Sequence, residues 1–208
     1  MRYIVLTLCM LCMLLTACEK KEDHTGISDI SSNLVLEYGW DKYQRSDFDA
    51  ALPYFLELTT RPSDYLKGHH GLGWTYLNLR QLQNATNQFN LFFDTDSLDV
   101  ILPTDSLYYD GKAGQAFLAY LSGNYSQCVS LTGQIGSDWV FTRDNELNNS
   151  DILVLKAICY YNQQLYSEAL ETVQSLDSDF NADLTFVEGI ILLGNKIEQL
   201  KLTYQFGF

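Results

Sequence analysis

The sequence predicts an all-α fold built from repeated helix pairs, and a recurring spacing of 34 residues is the main reason. Composition is the second reason, because 47% of the 208 residues are hydrophobic and only three are proline. Such a chain buries enough apolar surface to fold and contains few helix breakers. The residues that recur at this spacing are Gly39-Trp40, Ala51 and Phe55, followed by Gly73-Trp74, Ala85 and Phe89.

Small residues define the first two helix pairs. The spacing resembles that of the tetratricopeptide repeat, in which a small residue of the first helix faces a small residue of the second, and this implies that Gly39 faces Ala51 and Gly73 faces Ala85. A larger side chain at any of these positions would force the two helices apart. The turns at residues 45–48 and 79–82 carry polar residues before an aromatic residue or a leucine that closes each pair.

Two further pairs follow with longer steps. The small residue that corresponds to Ala85 is Cys128 in the third pair, 43 residues later, and Ala169 in the fourth pair, a further 41 residues later. In helical arrays such extra residues fall in loops, so we expect loops at 94–106 and 134–149. Residues 184–206 have the apolar pattern of one helix, which is expected to cap the open end of the stack. The first helices of these two pairs contribute Ala116 and Ala157, and their turns contain Gly123-Asn124-Tyr125 and Gln164-Leu165-Tyr166.

The period, the positions of the small residues and the turn chemistry resemble the tetratricopeptide repeat (TPR). The resemblance implies a right-handed α-solenoid of about four TPR-like helix hairpins plus a C-terminal capping helix, over residues 33–208. One departure concerns the proline that usually ends each repeat, because only Pro62 lies near the expected place.

The first 32 residues predict the location of the protein. Residues 1–17 have one basic residue and an apolar run, as in a secretory signal peptide. The ending Leu15-Thr16-Ala17-Cys18 resembles the lipobox of bacterial lipoproteins, which implies cleavage before Cys18 and acylation (palmitate or a similar chain) of that cysteine. The alternative is a secreted protein with an incidental cysteine.

Residues 18–32 are polar and are expected to form a tether behind the lipidated cysteine. Within them, Lys21-Glu22-Asp23 resembles the signal that sends lipoproteins of Bacteroidetes-like bacteria to the cell surface. We therefore expect an outer-membrane protein, held by its lipid anchor only, with the periplasmic and cell-surface faces both open. Further along the chain, Cys128 and Cys159 are interpreted as buried small hydrophobes, with a disulfide as the alternative.

By resemblance to the repeat family, the first helices line a concave groove that binds a protein or peptide partner. The chain has few basic groove residues, which favours a basic or aromatic-rich extended segment as that partner. Packing in the core is the alternative role for the aromatic members of this set. In the loop 134–149, Trp139 and Phe141 are expected to pack against the third helix pair, with a functional loop as the alternative. The candidate groove residues are Trp40, Tyr43, Lys67, His70, Trp74, Asn78, Phe117, Tyr120, Tyr161 and Asn162.

Charge and motifs narrow the function classes. The net charge of −13 disfavours nucleic acid as a ligand, since an acidic surface repels phosphates. We find no catalytic motif, so neither an enzyme nor a cofactor is predicted. No metal site is predicted either, although one stretch resembles an EF-hand calcium loop in which Ala182 replaces the turn glycine. The residues of that calcium alternative are Asp177, Asp179, Asn181, Asp183 and Glu188.

Taken together, these patterns predict a lipid-anchored TPR adaptor that binds a protein or peptide segment within a cell-envelope complex. The alternative is a surface glycan-binding accessory lipoprotein of a nutrient uptake system, since lipoproteins of that kind contain a similar helical scaffold. Stacked Trp and Tyr side chains would suit sugar rings.

Overall fold

The computed structural model describes residues 26–94, 101, 105–143 and 147–203. The predicted signal peptide, Cys18 and most of the predicted tether lie outside these residues. The chain divides into two compact units, residues 1–31 and residues 32–208. In the described part of the first unit, the backbone N–H of Ile30 donates to the carbonyl of Ile27 at 3.2 Å.

The described residues contain nine α-helices and, apart from a single antiparallel bridge between Val140 and Asn148, no β-structure. The all-α prediction is therefore confirmed. The helices are α1 (Ser32–Gln44), α2 (Phe48–Thr59), α3 (Tyr65–Asn78), α4 (Leu82–Phe92), α5 (Ser106–Leu121), α6 (Tyr125–Thr132), α7 (Asn149–Asn162), α8 (Tyr166–Leu176) and α9 (Val187–Thr203). The extra residues of the longer steps fall between α4 and α5 and between α6 and α7, as predicted.

Packing between neighbours is consistent with a helical repeat. Helices α1 to α8 pack as four successive hairpins, and each second helix also packs against the first helix of the next hairpin. The first helices form a continuous row, because α1, α3, α5 and α7 each contact the next first helix, and α7 contacts α9. Helix α9 also packs on α8, at the end of the array where a capping helix was predicted.

All four hairpin turns have the same backbone conformation. One residue in each turn has a positive φ, and the next residue donates its N–H to the carbonyl five residues earlier in the first helix. This is a Schellman C-cap, which satisfies carbonyl groups left open at the helix end. The turn residues and their φ angles are Ser46 (59°), Arg80 (59°), Gly123 (73°) and Gln164 (62°). Counted from them, the predicted small residues occupy equivalent positions in all four hairpins.

Phenylalanine rings lie where helices of neighbouring hairpins come closest. The buried ring of Phe55 in α2 lies between Gly39 of its own hairpin and Gly71 of the next. Phe89 in α4 lies in the same way between Gly73 and Gly114. A Cβ atom on Gly39 would lie 2.8 Å from Phe55, and one on Gly71 would overlap the ring. The glycines are therefore required to make room for the rings.

The third hairpin fills the equivalent space differently. In place of the phenylalanine it has Thr132, which is 5% exposed. The neighbouring glycine positions become Ala116 in the same hairpin and Leu155 in the next, both fully buried. A smaller side chain on α6 is thus matched by larger ones on α5 and α7, which keeps the interior filled.

Candidate functional site

The row of first helices presents an aromatic residue at one repeated position. Trp40, Trp74 and Phe117 each come six residues before the turn residue of their hairpin. All three are buried, with 2%, 0% and 0% of their surface exposed. The sequence left open whether these three residues line an open groove or pack in the interior, and in the structure they are buried.

Trp40 and Trp74 are covered by a segment of the chain's own loop between α6 and α7. We call residues 139–143 the strap. Its backbone is extended from Trp139 to Phe141, where Phe141 N–H donates to Leu147 O at 2.9 Å and Asn149 N–H donates to Trp139 O at 2.9 Å, and it turns at Thr142 and Arg143. Side chains alternate along it as in a β-strand, with Trp139 and Phe141 buried and Val140 exposed. One face of the strap therefore points into the row of first helices.

Phe141 is the central aromatic contact of the strap. Its ring is fully buried and stacks on Trp74, with 4.5 Å between ring centroids and an interplanar angle of 26°. It also contacts Trp40 edge to face at 5.9 Å and His70 at 6.1 Å. The Phe141 ring therefore contacts the first helices of the first two hairpins, which the sequence did not predict.

Polar contacts hold both ends of the strap. Trp139 Nε1 donates a buried hydrogen bond of 2.7 Å to Asp110 Oδ1 on α5, so this residue does pack on the third hairpin as expected. At the other end, Arg143 Nη1 lies 3.1 Å from Glu37 Oε1, and the guanidinium group lies over the Trp40 ring. Gln44 Nε2 donates to the carbonyl of Arg143 at 2.9 Å. The strap therefore contacts three of the four hairpins.

Two ionisable groups lie beneath the strap. His70 and Asp110 are 2% and 1% exposed, and His70 Nε2 lies 3.9 Å from Asp110 Oδ2. Burial, helped by the nearby charge of Arg143, lowers the pKa of His70 to about 3. Burial raises the pKa of Asp110 to about 6, against the opposing effects of the Trp139 hydrogen bond and Arg143. At neutral pH the site therefore holds a neutral imidazole and a largely ionised carboxylate.

Several polar atoms in this site have no hydrogen-bond partner among the described residues. They are His70 Nε2, Trp74 Nε1 and Asp110 Oδ2. A buried polar atom without a partner destabilises the folded state, so most such atoms in proteins are paired. Trp139 of the strap donates a hydrogen bond to Asp110 Oδ1. Phe141 contributes only an apolar ring, which contacts His70 and Trp74.

The other predicted groove residues of the first two hairpins are engaged locally. Asn78 Nδ2 donates to the hydroxyl of Tyr43 at 2.8 Å, which links α3 to α1. Lys67 is half-exposed and pairs with Asp64 at 2.8 Å. The hydrogen bond between Asn78 and Tyr43 stabilises the packing of α3 on α1. The positive charge of Lys67 is balanced by the carboxylate of Asp64.

In the last hairpin, the predicted groove residues lie in a separate place. Tyr161 and Asn162 line a cleft of about 280 Å³ between α7 and α9. Tyr161 donates to the carbonyl of Ile190 at 3.3 Å, while Asn162 is exposed and donates to the carbonyl of Ile158. Tyr120, which is half-buried, packs against the core of this same end. The ten candidate residues therefore do not form one continuous open groove.

The calcium alternative is not supported by the positions of its residues. Asp177 pairs with Lys196 at 2.6 Å, and Asp183 accepts hydrogen bonds from the N–H and the hydroxyl of Thr185. Among the described residues, no cluster of three or more His, Cys, Asp or Glu side chains is placed to hold a metal ion.

The two cysteines of the helical region are neighbours. Cys128 on α6 and Cys159 on α7 are free and fully buried, with their Sγ atoms 2.7 Å apart. This agrees with their interpretation as small buried residues. The hydrogen bond with the Cys128 thiol, together with burial, raises the pKa of Cys159. The helices in the described residues are also all too short or too polar to cross a membrane.

Comparison with protein families, with curated proteins and with solved structures finds no match to this chain. Sequence reasoning missed Glu37 and Arg143, which fix the end of the strap, because each is an ordinary surface charge in its own stretch of sequence.

Proposed function

We propose that the protein is a lipid-anchored adaptor of the tetratricopeptide type, which holds an extended segment of another protein against its first helices. The proposal includes a right-handed α-solenoid at the outer membrane, attached through Cys18 and the tether 18–32. The observation that carries it is the strap. The row of first helices already accommodates an extended segment with alternating buried side chains, which is the geometry of a bound peptide.

The chemistry of the site supports a protein ligand. Tryptophan, tyrosine and arginine dominate the energetics of protein interfaces, and Trp40, Trp74 and Tyr43 lie in this row. Glu37 and Asp110 place negative charge at the two ends of the strap, and the whole chain carries −13. An acidic surface attracts basic segments and speeds their association.

The positions of the tryptophans favour this function over glycan capture. Trp40, Trp74 and Trp139 are 2%, 0% and 5% exposed. In this structure Trp40 and Trp74 are packed against a polypeptide segment, and none of the three rings offers the open aromatic face on which a sugar ring stacks.

The membrane attachment has its own test. Cells given a labelled fatty acid should incorporate the label into the full chain, and the Cys18→Ser variant should not incorporate it. Incorporation that persists in this variant would contradict the proposed anchor. Protease treatment of whole cells would then show which face of the outer membrane carries the protein.

Partner binding is tested by placing a photo-cross-linking amino acid at Gln44, an exposed residue beside the strap. The matched control is Gln83, which is exposed on α4. We expect irradiated cells to yield a discrete protein adduct from position 44 and none of that mass from position 83. Equal adducts from both positions, or none from position 44, would contradict the adaptor function.

A further inference from the structure

The strap is an incomplete ligand for the site that it covers. It supplies a hydrogen-bond donor to Asp110 Oδ1, an aromatic ring against Trp74 and a guanidinium group near Glu37. It leaves Asp110 Oδ2, His70 Nε2 and Trp74 Nε1 without a partner among the described residues. A ligand that contacted these atoms as well would bind better than the strap, because each buried unpaired group is destabilising.

The strap is also joined to the fold in a way that permits its removal. It belongs to the connection between α6, which ends at Thr132, and α7, which begins at Asn149. Its main-chain hydrogen bonds go to Gly136 and Leu147 in that loop and to the first residue of α7, Asn149, and only the carbonyl of Arg143 is bound from the row of first helices, by the Gln44 side chain. The loop can therefore leave the row of first helices without breaking a hydrogen bond inside any helix.

We propose that the strap is a displaceable internal ligand, and that the groove beneath it takes an extended segment of another protein with the same chemistry. That segment carries two aromatic side chains at alternate positions and a basic residue two positions further on, as Trp139, Phe141 and Arg143 do. The inference rests on the proposed function and names the class of partner.

Each contact of the strap specifies one feature of this partner. Asp110 selects a side chain with an N–H donor, and the space between Trp40 and Trp74 selects a flat ring. Glu37, together with the face of Trp40, selects a cation, which is stabilised by both charge and the aromatic ring. Residues at the intervening positions face solvent, as Val140 does, and are therefore unconstrained.

Competition follows from this arrangement. An internal ligand lowers the apparent affinity for an external one in proportion to the fraction of molecules whose groove is open. Weakening the strap should therefore strengthen binding of an external segment, although the groove itself is unchanged.

The experiment titrates a fluorescently labelled peptide of residues 136–143 into the full chain and follows fluorescence anisotropy. We expect at least about tenfold tighter binding to the Phe141→Ala variant than to the wild type, since the strap of that variant loses its central ring. Val140→Ala is the matched control, because Val140 is in the strap but 48% exposed, and it should bind like the wild type. A scrambled peptide should not bind.

Three results would overturn the proposal: equal affinity for the wild type and Phe141→Ala, equal binding of the scrambled peptide, or no binding to a helical Phe141→Ala variant. If that variant fails to fold, Arg143→Ala replaces it, since this side chain is partly exposed and its loss leaves the aromatic core in place. A gain of about threefold is expected there, and no gain would count against the proposal.

Light scattering on the same samples tests a second copy as the occupant. A dimer that the peptide dissociates would show that the strap exchanges between copies, and would overturn the inference of a separate partner. The outcomes of this peptide titration can be distinguished from those of the cross-linking experiment at Gln44. Peptide binding without a cellular adduct would contradict the adaptor function alone, and an adduct without peptide binding would contradict this inference alone.

Discussion

Replacing Asp110 with asparagine tests the electrostatics beneath the strap. Burial raises the pKa of this carboxyl group from 3.8 to about 6. Each pKa unit corresponds to about 1.4 kcal/mol, so keeping the carboxylate ionised at neutral pH costs up to about 3 kcal/mol of folding free energy. Asparagine removes the charge and retains Oδ1 as the acceptor for Trp139. The Asp110→Asn variant should therefore be more stable than the wild type at neutral pH, by up to that amount.

The sign of the pH dependence follows from the direction of the pKa shift. Because the folded protein binds this proton more tightly than the unfolded chain, the cost is absent below about pH 3.8 and complete above about pH 6. The advantage of Asp110→Asn should thus be near zero at about pH 4 and grow as the pH rises to about 7. His70 also titrates, but it is present in both proteins and largely cancels in their difference.

Urea unfolding followed by circular dichroism at about pH 4 and about pH 7 measures this difference. Glu171→Gln, at an exposed position in the middle of α8, is the control and should change little at either pH. A pH-independent effect of Asp110→Asn, or a loss of stability at neutral pH, would refute the reasoning.

Three further changes test the packing. Ser46→Gly should stabilise the fold by about 0.5–1 kcal/mol in thermal unfolding, because glycine tolerates the positive φ at this turn; unchanged or reduced stability would contradict the strain argument. Gly71→Ala should destabilise it by about 1–3 kcal/mol, since the new Cβ overlaps the Phe55 ring; a melting temperature equal to that of the wild type would show that the ring moves aside freely. Cys128 and Cys159 should resist a thiol-alkylating reagent until the protein is unfolded, because both are fully buried, and rapid alkylation of the folded protein, read by mass spectrometry, would contradict their burial.

The hairpins could be predicted from sequence because their determinants are local. A small residue seven positions before each turn residue and another five positions after it recur in all four hairpins. The irregular steps after Ala85 did not disturb this pattern, because the extra residues lie between hairpins. Turn conformation itself was not predicted, since only Gly123 among the four turn residues suggests a positive φ.

The candidate site was harder to predict because its contacts join distant parts of the chain. Glu37 and Arg143 are separated by 106 residues, and Gln44 and Arg143 by 99. No periodic pattern connects a loop to helices that far away. The 34-residue spacing related Trp40 to Trp74 as equivalent positions of two hairpins. Their burial could not be predicted from that spacing, because it depends on a loop that covers them.

The side chains at the contacts between hairpins also constrain how this protein can change its length. If the second hairpin were deleted, Phe55 would meet Gly114, a glycine like its present neighbour. If the third were deleted, Phe89 would meet Leu155, and two large side chains would compete for one space. Gain or loss of a whole unit by recombination is therefore tolerated at one end of the array and opposed towards the other.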